Sequence, residues 1–334
     1  MPTIKDVATR AGVSVGTVSK VLSKDPTVKS ALRDRVQEAI SALGYRPNMA
    51  ARALRTNKID VIGLVVPDIS NPFFAQLAKR IEARAAQHGQ IVMLANSDDD
   101  GKTEARQVET LLDQSPRGLI VVGATLDERP SIVTEVPIVS VDRRYGDSKL
   151  ISTNHEMASA LVADHLFDLG HRRIAYISGP QTTDVGWLRQ MGFCDRIQAL
   201  TSAADPIDLK VVEGHFDYAS GETLARVLLS GPQGGLPTAI AAASDQQAIG
   251  ALRAARDLNI PVPGTLSIVG FDDIDLAQLV VPRLTSVSQR VDQIATLAVN
   301  AIMSARDVEI ADIHVPADLV IRGSTAMRQC RDTE

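Results

Sequence analysis

The 334-residue chain is 45% hydrophobic and carries a formal net charge of −5 at pH 7, which allows two or three domains with buried cores. No apolar run approaches the ~20 residues that a membrane span needs, and charges begin at Lys5 with no apolar leader before it, so we expect a cytoplasmic protein with no membrane contact. Cys194 and Cys330 have no disulfide or metal-ligand spacing, which favours inert thiols.

The charge is distributed unevenly along the chain. Residues 1–58 hold eleven Lys or Arg against four Asp or Glu, a net charge of +7, so the remaining residues carry −12. A small basic head on a larger acidic body is expected when only one end of a protein meets phosphates. We therefore predict that the N-terminus binds nucleic acid.

The stretch from Thr3 to Leu22 has the pattern of two short amphipathic helices. Gly12 interrupts the apolar spacing, and Ser14 is a good N-cap for the second helix. This pattern predicts a helix-turn-helix, although a generic helical hairpin has the same apolar spacing. The basic charge favours the DNA-binding interpretation. The first exposed turn of the second helix, which would face base edges, is then Val15, Gly16 and Thr17.

A third helix is predicted over Ala31–Leu43, ended by Gly44. A further eight residues, Asn48–Arg55, form an Ala-rich piece that is too short for a stable isolated helix, because helices below ~12 residues are marginal in water. We expect this piece to fold only when a partner holds it.

The segments TIKDVA, AGVS, TVSKVL, GYRPN and ARALRT resemble the lactose repressor family of bacterial transcription regulators. The resemblance implies an all-α helix-turn-helix DNA-binding domain at residues 1–47, a hinge helix and linker at 48–58, and a ligand-binding and dimerisation core at 59–334. It also implies a homodimer, or a tetramer, on a palindromic operator.

The resemblance places base contacts at Val15, Gly16 and Lys20. Val15 suits a thymine methyl, and Lys20 suits either a guanine edge or a phosphate. Gly16 departs from the pattern, because relatives commonly carry a side chain there. Thr17 is expected to position the backbone.

The hinge supplies the remaining DNA contacts that the resemblance implies. Leu54 matches the leucine that wedges into the central base step of the minor groove, with Arg52 and Arg55 beside it. The alternative is that Leu54 only packs one hinge against the other.

From Asp60 onward, short β-branched runs alternate with helical patterns, which predicts two doubly wound parallel sheets. The predicted strands are Val61–Val66, Ile91–Ala95, Gly118–Val122, Ile138–Val141, Ile174–Ile177, Lys210–Val212, Ala239–Ala243 and Ser267–Val269. The predicted helices are Phe73–His88, Thr103–Asp113, Glu156–Leu169, Trp187–Leu200, Tyr218–Leu229, Gln246–Leu258 and Val291–Ala305, with Ser286–Ser288 as a crossover and His314–Ile321 as a last apolar segment.

Ligands of such sheets bind outside the carboxyl ends of the strands, and polar and aromatic residues follow these ends here. Carboxylates, guanidinium groups and amides bind vicinal hydroxyls, while aromatic faces cover the C–H side of a sugar. The segments also resemble the periplasmic sugar-binding proteins, in particular the pattern that holds ribose. The match implies a set of ligand contacts: Asn71, Phe73, Phe74, Asp142, Arg143, Arg189, Phe216, Ser244, Asp272 and Gln289.

Each member of this set also has a structural explanation. Phe73 or Phe74 would fit a core, Asp142 would pair with Arg143, and the neighbouring Asp245 would cap a helix. Ser244 departs from the ribose pattern, which has an amide there. As a set, they favour a binding site.

The resemblance implies a periplasmic-binding-protein-like core in which the chain crosses three times between lobes, about 59–156 plus 290–315 and about 157–289 plus 316–334. The expected function is a repressor controlled by a pentose or related monosaccharide, with no cofactor and no metal.

A purine-dependent repressor is less favoured, because such relatives carry an aromatic where Arg143 stands and a basic residue where Thr183 stands. A transport receptor is not favoured, because the sequence shows no signal peptide. An enzyme is not favoured either, because the sequence shows no nucleophile elbow, zinc motif or phosphate loop. Asp98–Gly101 lacks the spacing of a calcium loop and is expected to be a solvated turn.

Overall fold

The computed structural model describes residues 2–22, 25–45, 60–124, 134–232, 235–304 and 311–328. The chain divides into two compact units, Met1–Ile59 and Asp60–Glu334. The predicted hinge at 48–58, with Arg52, Leu54 and Arg55, lies outside the described residues. No helix in the described ranges is both long and apolar enough to cross a bilayer.

The first unit contains three helices, α1 (Ile4–Ala11), α2 (Val15–Leu22) and α3 (Ser30–Leu43). Thr3 and Asp6 form a capping box at the start of α1, and Gly12 ends it in the left-handed conformation. The Ser14 hydroxyl accepts from the backbone N–H of Thr17 at 3.1 Å, which confirms the predicted cap. The three helices bury a common apolar core that includes Val7, Val18 and Val36.

The second unit alternates strands and helices. Its first part is β1 (Val61–Val66), α4 (Pro72–Gln87), β2 (Ile91–Asn96), α5 (Gly101–Leu112), β3 (Gly118–Val121), β4 (Ile138–Val141), β5 (Lys149–Thr153) and α6 (His155–Asp168). It continues with β6 (Arg173–Ser178), α7 (Asp184–Leu200), β7 (Asp208–Glu213), α8 (Tyr218–Leu229), β8 (Ala239–Ala242), α9 (Asp245–Asp257) and β9 (Ser267–Asp272). The last elements are a 3-10 turn (Asp275–Gln278), β10 (Thr285–Ser288), α10 (Val291–Ser304), β11 (Ile313–Val315) and β12 (Asp318–Val320).

These strands form two six-stranded sheets with the same order. The sheet of lobe 1 runs β11-β5-β4-β3-β1-β2, and the sheet of lobe 2 runs β12-β10-β9-β8-β6-β7. All neighbours are parallel except β12, which is antiparallel to β10. The chain passes from one sheet to the other after β5, after β10 and after β11. The carboxyl ends of β4 and β9 therefore occupy equivalent places in the two lobes.

The predicted parallel α/β architecture is confirmed, but four strands were not predicted. The segment Ser286–Ser288, expected as a crossover, lies within β10, and the expected last segment His314–Ile321 holds two strands in different sheets. β5 and β10 contain Lys, Ser and Thr rather than an apolar run, yet most of their residues are buried. Their polar sequence concealed them. They are strands because neighbouring strands supply the backbone hydrogen bonds, and they are buried because helices cover the faces of a parallel sheet.

Candidate functional site

The exposed turn of α2 carries the residues expected to meet DNA bases. Val15, Gly16 and Lys20 are exposed, and Thr17 is partly buried, with its hydroxyl 3.0 Å from that of Ser14. A Cβ placed on Gly16 would lie 3.7 Å from the Ser14 hydroxyl oxygen, an ordinary contact. Packing therefore does not require glycine at this exposed position.

Lobe 1 presents aromatic and amide groups at the start of α4, directly after β1. Asn71 caps this helix, since its side-chain oxygen accepts from the Phe73 N–H at 3.0 Å. Phe73 and Phe74 are both buried, with ring centroids 5.3 Å apart. Of these two rings, that of Phe74 lies beside a charged residue of the set, with its centroid 5.5 Å from the Arg143 guanidinium.

Arg143 lies between aromatic rings of the two lobes. Its guanidinium is 5.5 Å from the centroid of Phe74 and 5.9 Å from that of Phe216. It also donates to the Asp99 carboxylate at 2.6 Å. The sequence predicts a solvated turn at Asp98–Gly101, but the structure shows two specific contacts there. Asp99 accepts from Arg143, and Asp100 caps α5.

Arg189 organises the half of the site that lobe 2 supplies. It donates to the Ala243 carbonyl at 2.6 Å and to Asp272 Oδ1 at 3.1 Å, and its guanidinium lies 3.9 Å from the Phe271 centroid. Gln289 also donates to Asp272 Oδ1, at 2.7 Å. These contacts bring three members of the predicted set, from α7, β9 and the segment after β10, into one buried cluster.

The remaining predicted residues of lobe 2 differ in how they face this cluster. Phe216 lies 5.6 Å from the Arg189 guanidinium and packs against Gly179, where a Cβ would come within 2.1 Å of the ring. The Ser244 hydroxyl is occupied as the cap of α9, accepting from the Gln247 N–H at 3.3 Å. The expected cap, Asp245, is instead fully buried and accepts from Ser286 and from the Ile274 N–H.

Two carboxylates occupy equivalent positions in the two lobes. Asp142 directly follows β4 and Asp272 ends β9, and both have positive φ values, 63° and 113°. Non-glycine residues held in such sparsely populated regions concentrate at functional sites. Both side chains are nearly inaccessible to solvent, so their charges depend on their immediate partners.

These partners shift the two carboxylates in opposite directions. Burial acts to raise the pKa of Asp142, but His155, Arg189 and Arg143 together outweigh it and the pKa is lowered. Burial raises the pKa of Asp272 to about 6, with Arg189 opposing and Asp142 adding to the rise. One carboxylate is thus held ionised, while the other titrates near neutral pH.

Besides Asp99, two further residues at the site were not predicted from the sequence. His155 begins α6 with its Nε2 3.4 Å from Asp142 Oδ1, and the Thr153 hydroxyl donates to Gln289 Oε1 at 3.0 Å. Both lie at or just after β5, a strand whose polar sequence hid it. The Asn154 cap of α6 is the local signal that would have marked this strand end. No group of three or more metal-ligating side chains occurs in the described ranges.

Comparisons with known proteins agree on one family. A family model of bacterial regulatory proteins, lacI family, matches residues 3–48, and a periplasmic binding protein-like domain model matches residues 163–325. Catabolite control protein A of Priestia megaterium is 33% identical over 332 residues, covering 97% of this chain and 99% of the relative. The chain belongs to the lacI family.

Two further lacI-family proteins are closely similar to this chain. The ribose operon repressor of Escherichia coli (strain K12) is 34% identical over 310 residues, covering 91% of this chain and 92% of the relative. The solved structure of the lac repressor dimer bound to operator and the anti-inducer ONPF has a TM-score of 0.83 at 28% identity, covering 97% of this chain and 99% of that one. The predicted family and its combination of a helix-turn-helix head with a two-lobed core are confirmed.

Proposed function

We propose that this lacI-family protein is a repressor that binds a palindromic operator as a dimer and is released by a pentose held between its lobes. The observation that carries the proposal is the cluster in which the buried Asp142 and Arg143 of lobe 1 meet the buried Arg189 and Asp272 and the partly buried Phe216 of lobe 2. Groups of both lobes would contact one small molecule, so binding would depend on how the lobes are placed.

The charges of the cluster favour a neutral polyol over a phosphorylated one. Two guanidinium groups are matched by the carboxylates of Asp99, Asp142 and Asp272. An added phosphate would meet these carboxylates in a region of low dielectric, where like charges repel strongly. Vicinal hydroxyls, in contrast, donate to carboxylates and accept from guanidinium groups. The 34% identity to a ribose operon repressor supports a pentose.

The proposed mechanism is a shift between two arrangements of the lobes. A sugar that prefers one arrangement stabilises it by its difference in affinity, typically ~1–3 kcal/mol. In a dimer, this arrangement would change the distance between the two hinges, whose residues 48–58 would then lose their mutual support. Loss of the Leu54 wedges and of the contacts expected from Arg52 and Arg55 would lower operator affinity.

Contacts in the head would supply sequence recognition. The exposed Val15 would pack on a thymine methyl, and Lys20 would donate to a guanine edge, each worth ~1–3 kcal/mol of discrimination. Thr17 would position the backbone, and Gly16 would let the helix approach the groove closely without reading a base.

A screen of small molecules, followed by a DNA assay, tests both halves of the proposal. Thermal unfolding is measured with D-ribose, D-xylose, D-glucose, D-ribose 5-phosphate and hypoxanthine, because a ligand that binds the native state raises the unfolding temperature. An operator selected from random duplexes then reports release. We expect a free pentose to stabilise the protein and release the operator. A purine that promotes binding, or failure to select any duplex, would contradict the proposal.

The hinge is tested separately with a substitution at the proposed wedge. Leu54→Ala is expected to weaken operator binding and reduce the DNA bend, with unchanged sugar binding. Leu22→Ala, in the head core, serves as a control that lowers the stability of the head itself. An unchanged bend in Leu54→Ala would refute the wedge.

A further inference from the structure

His155 lies between the two charged residues that the proposed site takes from different lobes. It begins α6 directly after the last residue of β5 and its Asn154 cap, and its side chain is 1% exposed. Its Nδ1 accepts from Arg189 Nε at 3.3 Å, while its Nε2 lies 3.4 Å from Asp142 Oδ1. One imidazole ring therefore faces Asp142 of lobe 1 and Arg189 of lobe 2.

These contacts define the tautomer of the ring. An arginine Nε–H only donates, so Nδ1 must be the acceptor and the neutral ring carries its proton on Nε2, toward the carboxylate. Burial lowers the pKa of His155, Arg189 and the nearby His314 act in the same direction, and Asp142 opposes them. The ring is therefore neutral at physiological pH.

The contact between His155 and Asp142 is slightly too long to be a good hydrogen bond. Asp142 Oδ1 and His155 Nε2 are both buried, and neither forms a hydrogen bond of good geometry with the described residues. Buried polar atoms are nearly always paired, and an approach of a few tenths of an ångström would bring these two within ordinary hydrogen-bond distance. Such an approach would form a hydrogen bond between His155 and Asp142 and so connect Asp142 of lobe 1, through the ring, to Arg189 of lobe 2.

We propose that His155 is a positioning residue. The two nitrogens of its neutral ring fix the side chains of Asp142 of lobe 1 and Arg189 of lobe 2 relative to each other. The inference rests on the proposed sugar site and adds to it a residue that acts through its two neighbours. The alternative is a core histidine that contributes only to folding. His171 is such a histidine, since its ring nitrogens lie 3.0 Å from the hydroxyls of Thr238 and Ser267, away from the site.

Three substitutions separate the two contacts of the ring. His155→Leu removes both, His155→Asn retains an acceptor near the position of Nδ1, and His155→Gln retains a donor near that of Nε2. His171→Leu is the matched control. Binding of D-ribose is measured by calorimetry, and folding by thermal unfolding without sugar. We expect His155→Leu to raise the Kd for D-ribose at least tenfold and each polar variant to recover part of the loss.

The control distinguishes positioning from folding. His171→Leu is expected to lower the unfolding temperature as much as His155→Leu while leaving the Kd within about twofold, because its partners are outside the site. Equal Kd values for wild type and His155→Leu would overturn the inference, as would similar Kd changes in His155→Leu and His171→Leu.

A second measurement needs no sugar. Nitrogen chemical shifts of histidine-labelled protein, assigned with His155→Gln, are expected to show a neutral ring protonated on Nε2 at pH 7. A cationic ring or the opposite tautomer would overturn the inference whatever binds. A wild type that keeps this tautomer but ignores D-ribose would contradict the sugar proposal instead, so the two failures are distinguishable.

Discussion

The two lobes use the same strand order but hold their charged residues differently. Each places an aspartate with positive φ at the end of the equivalent strand and a buried arginine nearby. In lobe 1, Arg143 pairs at 2.6 Å with Asp99, whose side chain is 54% exposed, and lies 4.0 Å from the buried Asp142. In lobe 2, Arg189 pairs with Asp272, whose side chain is 8% exposed.

This difference assigns different properties to the two halves of the site. A pair whose carboxylate is hydrated is easily exchanged for other partners, whereas a buried pair is costly to break because it leaves an uncompensated charge. Lobe 2 is therefore preassembled around Arg189, with Gln289 and the Ala243 carbonyl completing it. Lobe 1 is the half that can adjust when a ligand arrives.

Removing the arginine of lobe 2 is expected to have the largest effect. Arg189→Met leaves Asp272 buried without its cation, which costs about 3–5 kcal/mol of unfolding free energy, and it abolishes sugar binding. Arg196 on the same helix pairs with Asp164, both being about 40% exposed, so Arg196→Met should cost at most ~1 kcal/mol. Urea unfolding at pH 7 measures the loss of unfolding free energy in both variants. Equal losses would contradict the proposed difference between a buried pair and an exposed one.

The carboxylate of lobe 2 should make stability depend on pH. Since the folded pKa of Asp272 is about 6, above its ordinary 3.8, its contribution to stability is greatest below pH 3.8 and is lost as pH rises through 6. Asp272→Asn removes this loss, so its stability relative to wild type should rise by about 1 kcal/mol from pH 5 to pH 7.5.

The equivalent substitution in lobe 1 is the control for this pH effect. The pKa of Asp142 is lowered, so its contribution is present above pH 3.8 and is lost only as pH falls through the folded pKa. Asp142 contributes only part of the rise in the pKa of Asp272, so between pH 5 and pH 7.5 the stability of Asp142→Asn relative to wild type should change less than that of Asp272→Asn. Parallel pH profiles for the two variants would show that the lobes are electrostatically alike.

How much of this was predictable depends on whether a residue carries its own local signal. The apolar strands and the cap at Ser14 were predicted, because a helix end and a buried β-branched run are each determined by neighbouring residues in the sequence. The family resemblance brought together Asp142, Arg143, Arg189, Asp272 and Gln289, which the structure places around one cluster.

The rest depends on contacts between distant segments. β5 is a strand because β4 and β11 flank it, and its own sequence does not indicate burial. His155 follows that strand, so it was missed with it. Asp99 lies in a segment whose composition is that of a solvated turn. Its role as the partner of Arg143 is seen only in the 2.6 Å contact between these residues, which are more than forty positions apart in the sequence.

Helix caps that follow the first strand of each lobe provide a smaller test of the contrast. Asn71 caps α4 and Thr183 caps α7. Asn71→Ser keeps a capping oxygen but removes the amide, so we expect little change in stability and a D-ribose Kd raised about tenfold, the equivalent of one hydrogen bond. Thr183→Ala should instead lower stability by ~1 kcal/mol without changing the Kd. Calorimetry measures the Kd and urea unfolding measures the stability. If Thr183→Ala raised the Kd and Asn71→Ser did not, the ligand contact would lie at the lobe 2 cap instead.

The smallest effect is expected at the exposed anchor of lobe 1. Asp99→Asn removes the charge that holds Arg143 but leaves an amide oxygen to accept its hydrogen bond, and exposed pairs contribute at most ~1 kcal/mol. The flanking rings of Phe74 and Phe216 should keep the guanidinium near its place, so D-ribose affinity should fall only about threefold and the unfolding free energy should not change measurably. If lobe 1 is the adjustable half, the loss should disappear at high salt, which already screens a hydrated pair. A large loss that persists at high salt would mean that Asp99 belongs to a rigid half like that of Asp272, and that the two lobes do not differ in the way proposed.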